Sequence, residues 1–308
     1  MAPRRKGDRV DGSAVDELDG DETSRAGMVN RESLSERLRV TPYGVDAFVG
    51  EPPAGFRQRV FGGHLLGQAV LAAAATVEGE SRVPVSLHSY FLSAGQPDKP
   101  LHYNVTRTRD GRSFSARQVT VTQEAEILMT FEALFNDGPT QPADIRAVAA
   151  PDAPDPEALA PLHLRRNDAA ATSDGLKYPP RGNWWTGSRP FDIRFVDDNP
   201  DGRRFWFRTP PETNTNRTAQ RAVLACASDR SVVATILAVR GEISEIAHRR
   251  TASLDHAMWF HRDAAIGEWF LYQQDSPFSA RGTGLARGLI FNRSGDLVAT
   301  VAQQGLFT

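Results

Sequence analysis

The chain has 308 residues, 40% of them apolar and 24% charged, with a formal net charge of −2. This is ordinary globular composition, and about 150 residues per domain predicts two domains. No sequence-wide field draws it to nucleic acid or an anionic membrane, and Cys226, the single cysteine, excludes an intrachain disulfide and a cysteine-cluster metal site.

The N-terminus, "MAPRRKGDRVDGSAVDELDGDE", is charged and lacks the apolar core of a signal peptide. Residues 1–33 read as a disordered tail. No uninterrupted apolar run approaches the ~20 residues of a membrane span. A lone thiol and no targeting segment predict a cytoplasmic protein. Of the 36 basic residues only Lys6, Lys99 and Lys177 are lysines, so any phosphate-binding surface is mostly arginine.

A first unit is predicted over 34–137. "GGHLLGQAVLAAAATV" (62–77) is its clearest helix, apolar nearly all round and therefore buried. Four strands follow: "VSLHSYFL", "LHYNVTRTR", "FSARQVTVTQ" and "EILMTFEALF", the last two joined by a hairpin turn. Residues 138–182, crowded with proline, alanine and aspartate, read as an interdomain linker with one short helix. A second unit, 183–308, repeats the order: strands "FDIRFV" and "RFWFRT", a helix around 217–229, then strands to the C-terminus with a tight turn at "NRSGDL".

The two units share landmarks in one order. "AVLA" occurs at 69 and 222, serine-leucine at 86 and 253, "FSAR" at 114 and 278, and leucine-phenylalanine ends at 135 and 307. Such order predicts a duplicated domain of α+β class, one central helix wrapped by an antiparallel sheet, twice. Two such sheets can join edge to edge, which hides exposed strand edges.

The chemistry-bearing candidates are few. There is no G-x-S-x-G elbow, Walker loop or H-E-x-x-H. "GTGLARG" (282–288) lacks the spacing of a dinucleotide loop and falls in a predicted strand. His256 and His261 are five apart on a strand, hence on opposite faces, and cannot share a metal. Both read as packing or hydrogen-bonding histidines, and no metal site is expected. Cys226 reads as a small buried apolar residue.

Asp229 follows the apolar stretch "AVLACAS", where the first repeat carries Thr76. Gln303 interrupts an alternating strand, where the first repeat carries Phe131. Ser253 heads the "SLDH" strand. An acid, a hydroxyl and an amide form a water-handling trio: the carboxylate takes a proton from water, and the others align it.

"RVFGGHLLGQAV", "LHSYFL", "DGRSFSARQV", "ACASD", "LDHAMWFHR", "EWFLY", "SARG" and the terminal Q-x-G strand together resemble the type II acyl-CoA thioesterase (TesB-like) family from about residue 34 to 307. The resemblance implies a double hotdog fold, hydrolysis of fatty acyl-CoA to free acid and CoA, and catalytic roles for Asp229, Ser253 and Gln303. It implies no cofactor, CoA being part of the substrate, and a homodimer or homotetramer. It makes the twin "FSAR" strings equivalent strands. The "FGG" turn, with Gly62 and Gly63, is the candidate for polarising the thioester carbonyl, and His88 is a supporting candidate for substrate binding. His64 departs from the family, whose members often carry an uncharged polar residue there. Two other readings stand beside this one: a duplicated hotdog that binds acyl-CoA without cleaving it, and a hydratase using Asp255 and His256. Adjacent strand residues point to opposite faces, which disfavours the hydratase.

Overall fold

In the computed structural model the described residues are 33–53, 59–79, 81–137, 148–162, 191–199, 201–209, 216–242 and 249–308. The predicted disordered tail and much of the predicted linker lie outside them. Residues Glu32–Thr308 form one compact unit.

Each repeat contributes half of one sheet. The first half holds β1 (Val40–Gly44), β2 (Ala47–Gly50), β3 (Val83–Phe91), β4 (Leu101–Asp110), β5 (Phe114–Gln123) and β6 (Glu126–Asn136). The second holds β7 (Asp192–Asn199), β8 (Gly202–Arg208), β9 (Thr251–Ser253), β10 (Asp255–Phe260), β11 (Phe270–Ala280), β12 (Thr283–Asn292) and β13 (Leu297–Phe307). Strand order is β1-β2-β4-β5-β6-β3-β10-β13-β12-β11-β8-β7, with β9 beside β13. The order is a palindrome about the β3–β10 seam. That seam is antiparallel, pairing Tyr90 with Asp255 and Ser86 with Trp259, so the two sheets do join edge to edge.

Among the described residues four α-helices accompany the sheet: α1 (Leu34–Arg37), α2 (Gly62–Ala74), α3 (Arg217–Ser228) and α4 (Val232–Val239). α1 starts at a capping box in which the Ser33 and Glu36 side chains each bond the other's backbone amide. α2 is buried on most of its surface, as its all-round apolar sequence requires. It packs directly on α3: a Cβ on Gly63 would lie 2.2 Å from the Cys226 carbonyl oxygen, and one on Gly67 3.0 Å from that of Ala222. Gly63 is needed for the backbones to approach this closely, while at Gly67 the contact with the Ala222 carbonyl is only tight. Leu87, Val119, Phe131 and Met258 on the inner face complete a core that spans both repeats.

Arg217–Val239 is long and apolar enough, by composition, to cross a membrane. It is instead mostly buried in the protein and broken between α3 and α4 by Ser231, whose φ is +66°. One expectation is corrected, the equivalence of the twin "FSAR" strings: the first opens β5, whereas the second ends β11 and enters the turn at Arg281 (φ +52°). The strand matching β5 is β12, where Ala286 pairs with Gln303 as Val119 pairs with Phe131. The duplication therefore stands on the order of strands, not on that string. Residues 148–162 of the predicted linker pack against the second half of the sheet. Trp206 Nε1 donates to the Pro154 carbonyl at 2.9 Å, Arg204 to that of Asp152 at 2.8 Å, and Ala150, Ala153 and Leu159 pack on Trp206, Trp269 and Phe291.

Candidate active site

Asp229, Ser253 and Gln303 are far apart in the chain and meet at one point. Asp229 is the C-cap of α3, and the α2–α3 packing presents it to the first turn of α2. Gly63 N–H donates to Asp229 Oδ2 at 2.9 Å. On the other side Ser253 Oγ donates to Asp229 Oδ1 at 3.2 Å, and Gln303 Nε2 donates to Ser253 Oγ at 2.8 Å. Ser253 is carried by the short β9, which lies against β13 with Ser253 opposite Gly305. Gln303 points inward from β13 and is fully buried.

The electrostatics of Asp229 follow from its position. Burial pushes its carboxyl above the ordinary range, while His256, Gln303, Ser253 and the Gly63 amide act against that rise. The end of α3 is a poor place for a negative charge, and the start of α2 a good one. Oδ2 accepts from the Gly63 amide and Oδ1 from Ser253, and a carboxylate oxygen can take a further donor. Of the residues at the site, Phe61, Gly62, Phe91 and Ser253 are half-buried. A Cβ on Gly62 would sit 2.9 Å from Asp229 Oδ2 and 3.0 Å from the Phe91 ring, so glycine keeps this side of the carboxylate clear.

Behind Gln303 stands His256, fully buried on β10. Its Nδ1 meets Gln303 Oε1 at 2.5 Å, and its Nε2 meets Ser228 Oγ at 2.8 Å. Reading the sequence as a packing or hydrogen-bonding histidine missed its place directly behind the amide. The signal was available: inward parity on β10 sets it beside an inward glutamine on β13. Burial lowers its basicity, with Asp229 opposing. Asp255 takes the opposite face and accepts from the Gln304 amide, so Asp255 and His256 do not act as a pair.

Other candidates are distributed differently. Gly62 and Gly63 are at the site, but the Gly63 amide is committed to Asp229. The structure does not bring His88 there. Leu87 and Ser89 point inward from β3, which leaves His88 exposed on the outer face, edge-on to Trp259 at 5.3 Å. His64 is buried one turn into α2, its Nε2 2.9 Å from the Glu51 carbonyl. Cys226 is buried, and burial pushes its thiol well up, as befits an inert residue. Among the described residues no group of three His, Cys, Asp or Glu is placed to hold a metal.

The first repeat keeps the scaffold without the chemistry. Thr76 stands where α2 ends; it donates to the Ala73 carbonyl and accepts from Arg117 Nε at 2.7 Å. Phe131 occupies the Gln303 position and Ser89 that of His256.

Residues 191–306 match the acyl-CoA thioesterase family, and residues 52–136 match the acyl-CoA thioesterase N-terminal domain. The chain is 32% identical over 260 residues to acyl-CoA thioesterase 2 of Haemophilus influenzae, covering 82% of this chain and 88% of that protein. It is 30% identical over 298 residues to human acyl-coenzyme A thioesterase 8, covering 93% and 92%. Among solved structures, acyl-CoA thioesterase II TesB2 of Mycobacterium marinum aligns with a TM-score of 0.72 at 30% identity, covering 89% of this chain and 96% of that one. With its double hotdog architecture, the chain belongs to the acyl-CoA thioesterase II (TesB-like) family.

Proposed function

We propose that Asp229, Ser253 and Gln303 catalyse hydrolysis of fatty acyl-CoA by direct attack of water. The protein is an acyl-CoA thioester hydrolase by its family; the residue roles are our reading of the site. One observation carries it: a chain of donors, Gln303 to Ser253 to Asp229, ends on a buried carboxylate that lies against the glycine-rich first turn of α2. A donor chain aimed at the carboxylate favours its ionised form, the form a general base needs.

In this reading Asp229 accepts a proton from water as the oxygen attacks the thioester carbonyl. Ser253 and Gln303 hold the carboxylate in line. The Gly62 amide, at the start of α2, is the donor for the developing oxyanion, since the Gly63 amide already serves Asp229. Collapse breaks the carbon–sulfur bond, and protonated Asp229 returns its proton to the departing thiolate or to solvent. No step uses a cofactor or metal, and CoA enters only as part of the substrate.

The test is release of CoA thiol from acyl-CoAs of graded chain length. Release supports the reading, and its profile identifies the preferred acyl chain. Binding without release would assign the protein as an acyl-CoA-binding module, and loss of the enoyl absorbance of crotonyl-CoA would assign a hydratase. A homodimer or homotetramer in the cytoplasm fits the same reading. It is supported by Tyr90, Leu134, Trp259 and Leu285, which expose large apolar surface on the outer face of the central strands. A light-scattering mass equal to the 33.8 kDa monomer at micromolar concentration would contradict the oligomer.

A further inference from the structure

A primary amide is nearly symmetric in shape, yet its two ends do opposite things. Gln303 serves the site only if its NH₂ faces Ser253 and its oxygen faces away. Turned over, it would present an acceptor to Ser253, and the single Ser253 proton would then have two acceptors to choose between: Gln303 and Asp229. Something behind Gln303 must distinguish the ends.

The group behind it is His256. Its Nδ1 lies against Gln303 Oε1, and a ring N–H there can only be met by the amide oxygen. The far side of the ring explains how Nδ1 keeps its proton. Nε2 lies 2.8 Å from Ser228 Oγ, the last residue of α3, whose hydroxyl has one proton and two acceptors within reach, Nε2 and the Ala225 carbonyl at 2.8 Å. Given to Nε2, that proton leaves the ring proton of neutral His256 on Nδ1, the tautomer that matches Gln303 Oε1. The ring is further held in place by its own strand: the His256 carbonyl accepts from Ser89 Oγ at 3.2 Å across the β3–β10 seam. The sequence of donors is then Ser228 to His256 to Gln303 to Ser253 to Asp229, every hydrogen pointing the same way.

We propose that His256, set by Ser228, is a positioning residue that fixes the orientation of the Gln303 amide and so the polarity of the chain ending on Asp229. It is not a catalytic residue, because Gln303 and Ser253 stand between it and the carboxylate. The inference rests on the roles read above for Asp229, Ser253 and Gln303. It also accounts for the first repeat, where Ser89 and Phe131 replace the histidine and glutamine together.

Two substitutions separate positioning from packing. His256→Asn keeps an N–H close to the Nδ1 position and loses the Nε2 end. His256→Gln places its amide toward Ser228 and withdraws the donor from Gln303. Both are tested by CoA release, beside Gln303→Ala and the double variant His256→Gln/Gln303→Ala, with melting temperatures to show that each is folded. The expected result is a kcat for His256→Asn within about 3-fold of wild type, and for His256→Gln a kcat lower by about 10–100-fold with KM unchanged, the range for a buried network left with an unsatisfied group. In the Gln303→Ala background, His256→Gln should cost nothing more, since its effect passes through that amide. Equal losses in the two single variants would overturn the proposal, as would losses that multiply with Gln303→Ala. So would wild-type activity in both His256 variants while Gln303→Ala is impaired. Wild-type activity in Gln303→Ala would instead remove the reading of the site itself, and this inference with it.

Discussion

At the scale of single residues, pH reports on two buried groups with opposite signs. Asp229 is held above the ~3.9 of a free aspartate by burial. As the base it must be ionised, so kcat/KM should fall as pH drops through that raised value. An acid limb at or below the free value would contradict the role. Ionised Asp229 also costs stability, because a carboxyl raised in the fold favours the fold when protonated and loses that contribution as pH rises. His64 behaves oppositely. Burial pushes its imidazole down to about 4, against the help of the Glu51 carbonyl and with Arg37 adding to the fall. The unfolded chain takes a proton near pH 6.5 that the fold refuses, so stability is full above that value and declines toward pH 4, by roughly 3 kcal/mol. His64→Gln keeps an N–H for Glu51 and should flatten part of this slope in urea titrations. The remainder belongs to other groups, among them His256, which burial also depresses. An unchanged slope would mean that His64 is not the group responsible. Asp229 and Gln303 were legible in the sequence because each broke an apolar pattern, whereas Ser253, matched by Ser86 in the first repeat, was legible only through the family resemblance. His256 was less so, since its function depends on two neighbours, Ser228 and Gln303, that only the sheet and α3 bring to it.

At the scale of elements, the α2–α3 contact fixes the site. Gly63→Ala would drive a Cβ to 2.2 Å from the Cys226 carbonyl, and backbone cannot yield as a side chain does. A loss of about 3 kcal/mol, the upper end for overpacking, is expected in urea unfolding. Activity should fall further than stability alone explains, because the Gly63 N–H leaves Asp229. Gly67→Ala meets mainly Leu38 side-chain atoms at 2.8 Å, which can turn aside, so it should cost about 1 kcal/mol and spare activity. If both cost the same, the close approach at Gly63 is not what holds the helices. The elements differ in how well they could be read. β3 to β6 follow strand-like segments joined by evident turns. α4 does not: "VVATILAV" is rich in β-branched residues, which favour strands, and Ser231 offers no side-chain cap. It is helical because of what lies beneath it. Gly284 and Gly305 leave room on β12 and β13 for Ile236 and Val233, a tertiary fit that no local pattern carries.

At the scale of the whole molecule, the two repeats are one folding unit. A single sheet crosses the β3–β10 seam, and one core holds Leu87 and Phe131 of the first repeat with Met258 and Val301 of the second. All five tryptophans, Trp184, Trp185, Trp206, Trp259 and Trp269, fall in the sequence of the second repeat. Their fluorescence should therefore melt together with the far-ultraviolet circular dichroism of the whole chain. Separate transitions would show that the repeats unfold independently. The duplication was legible because both halves keep a helix before their long strands. The shared string "FSAR" misaligns the halves by three residues, since four shared letters do not fix a register.

The most direct measurement of the central claim is CoA release by Asp229→Asn, with acyl-CoA binding and melting temperature measured on the same sample. General-base catalysis contributes about 10²–10⁴-fold, so kcat should fall at least ~100-fold while binding persists and the melting temperature stays equal to or above that of the wild type. Hydrolysis at the wild-type rate by a folded Asp229→Asn protein would contradict the account.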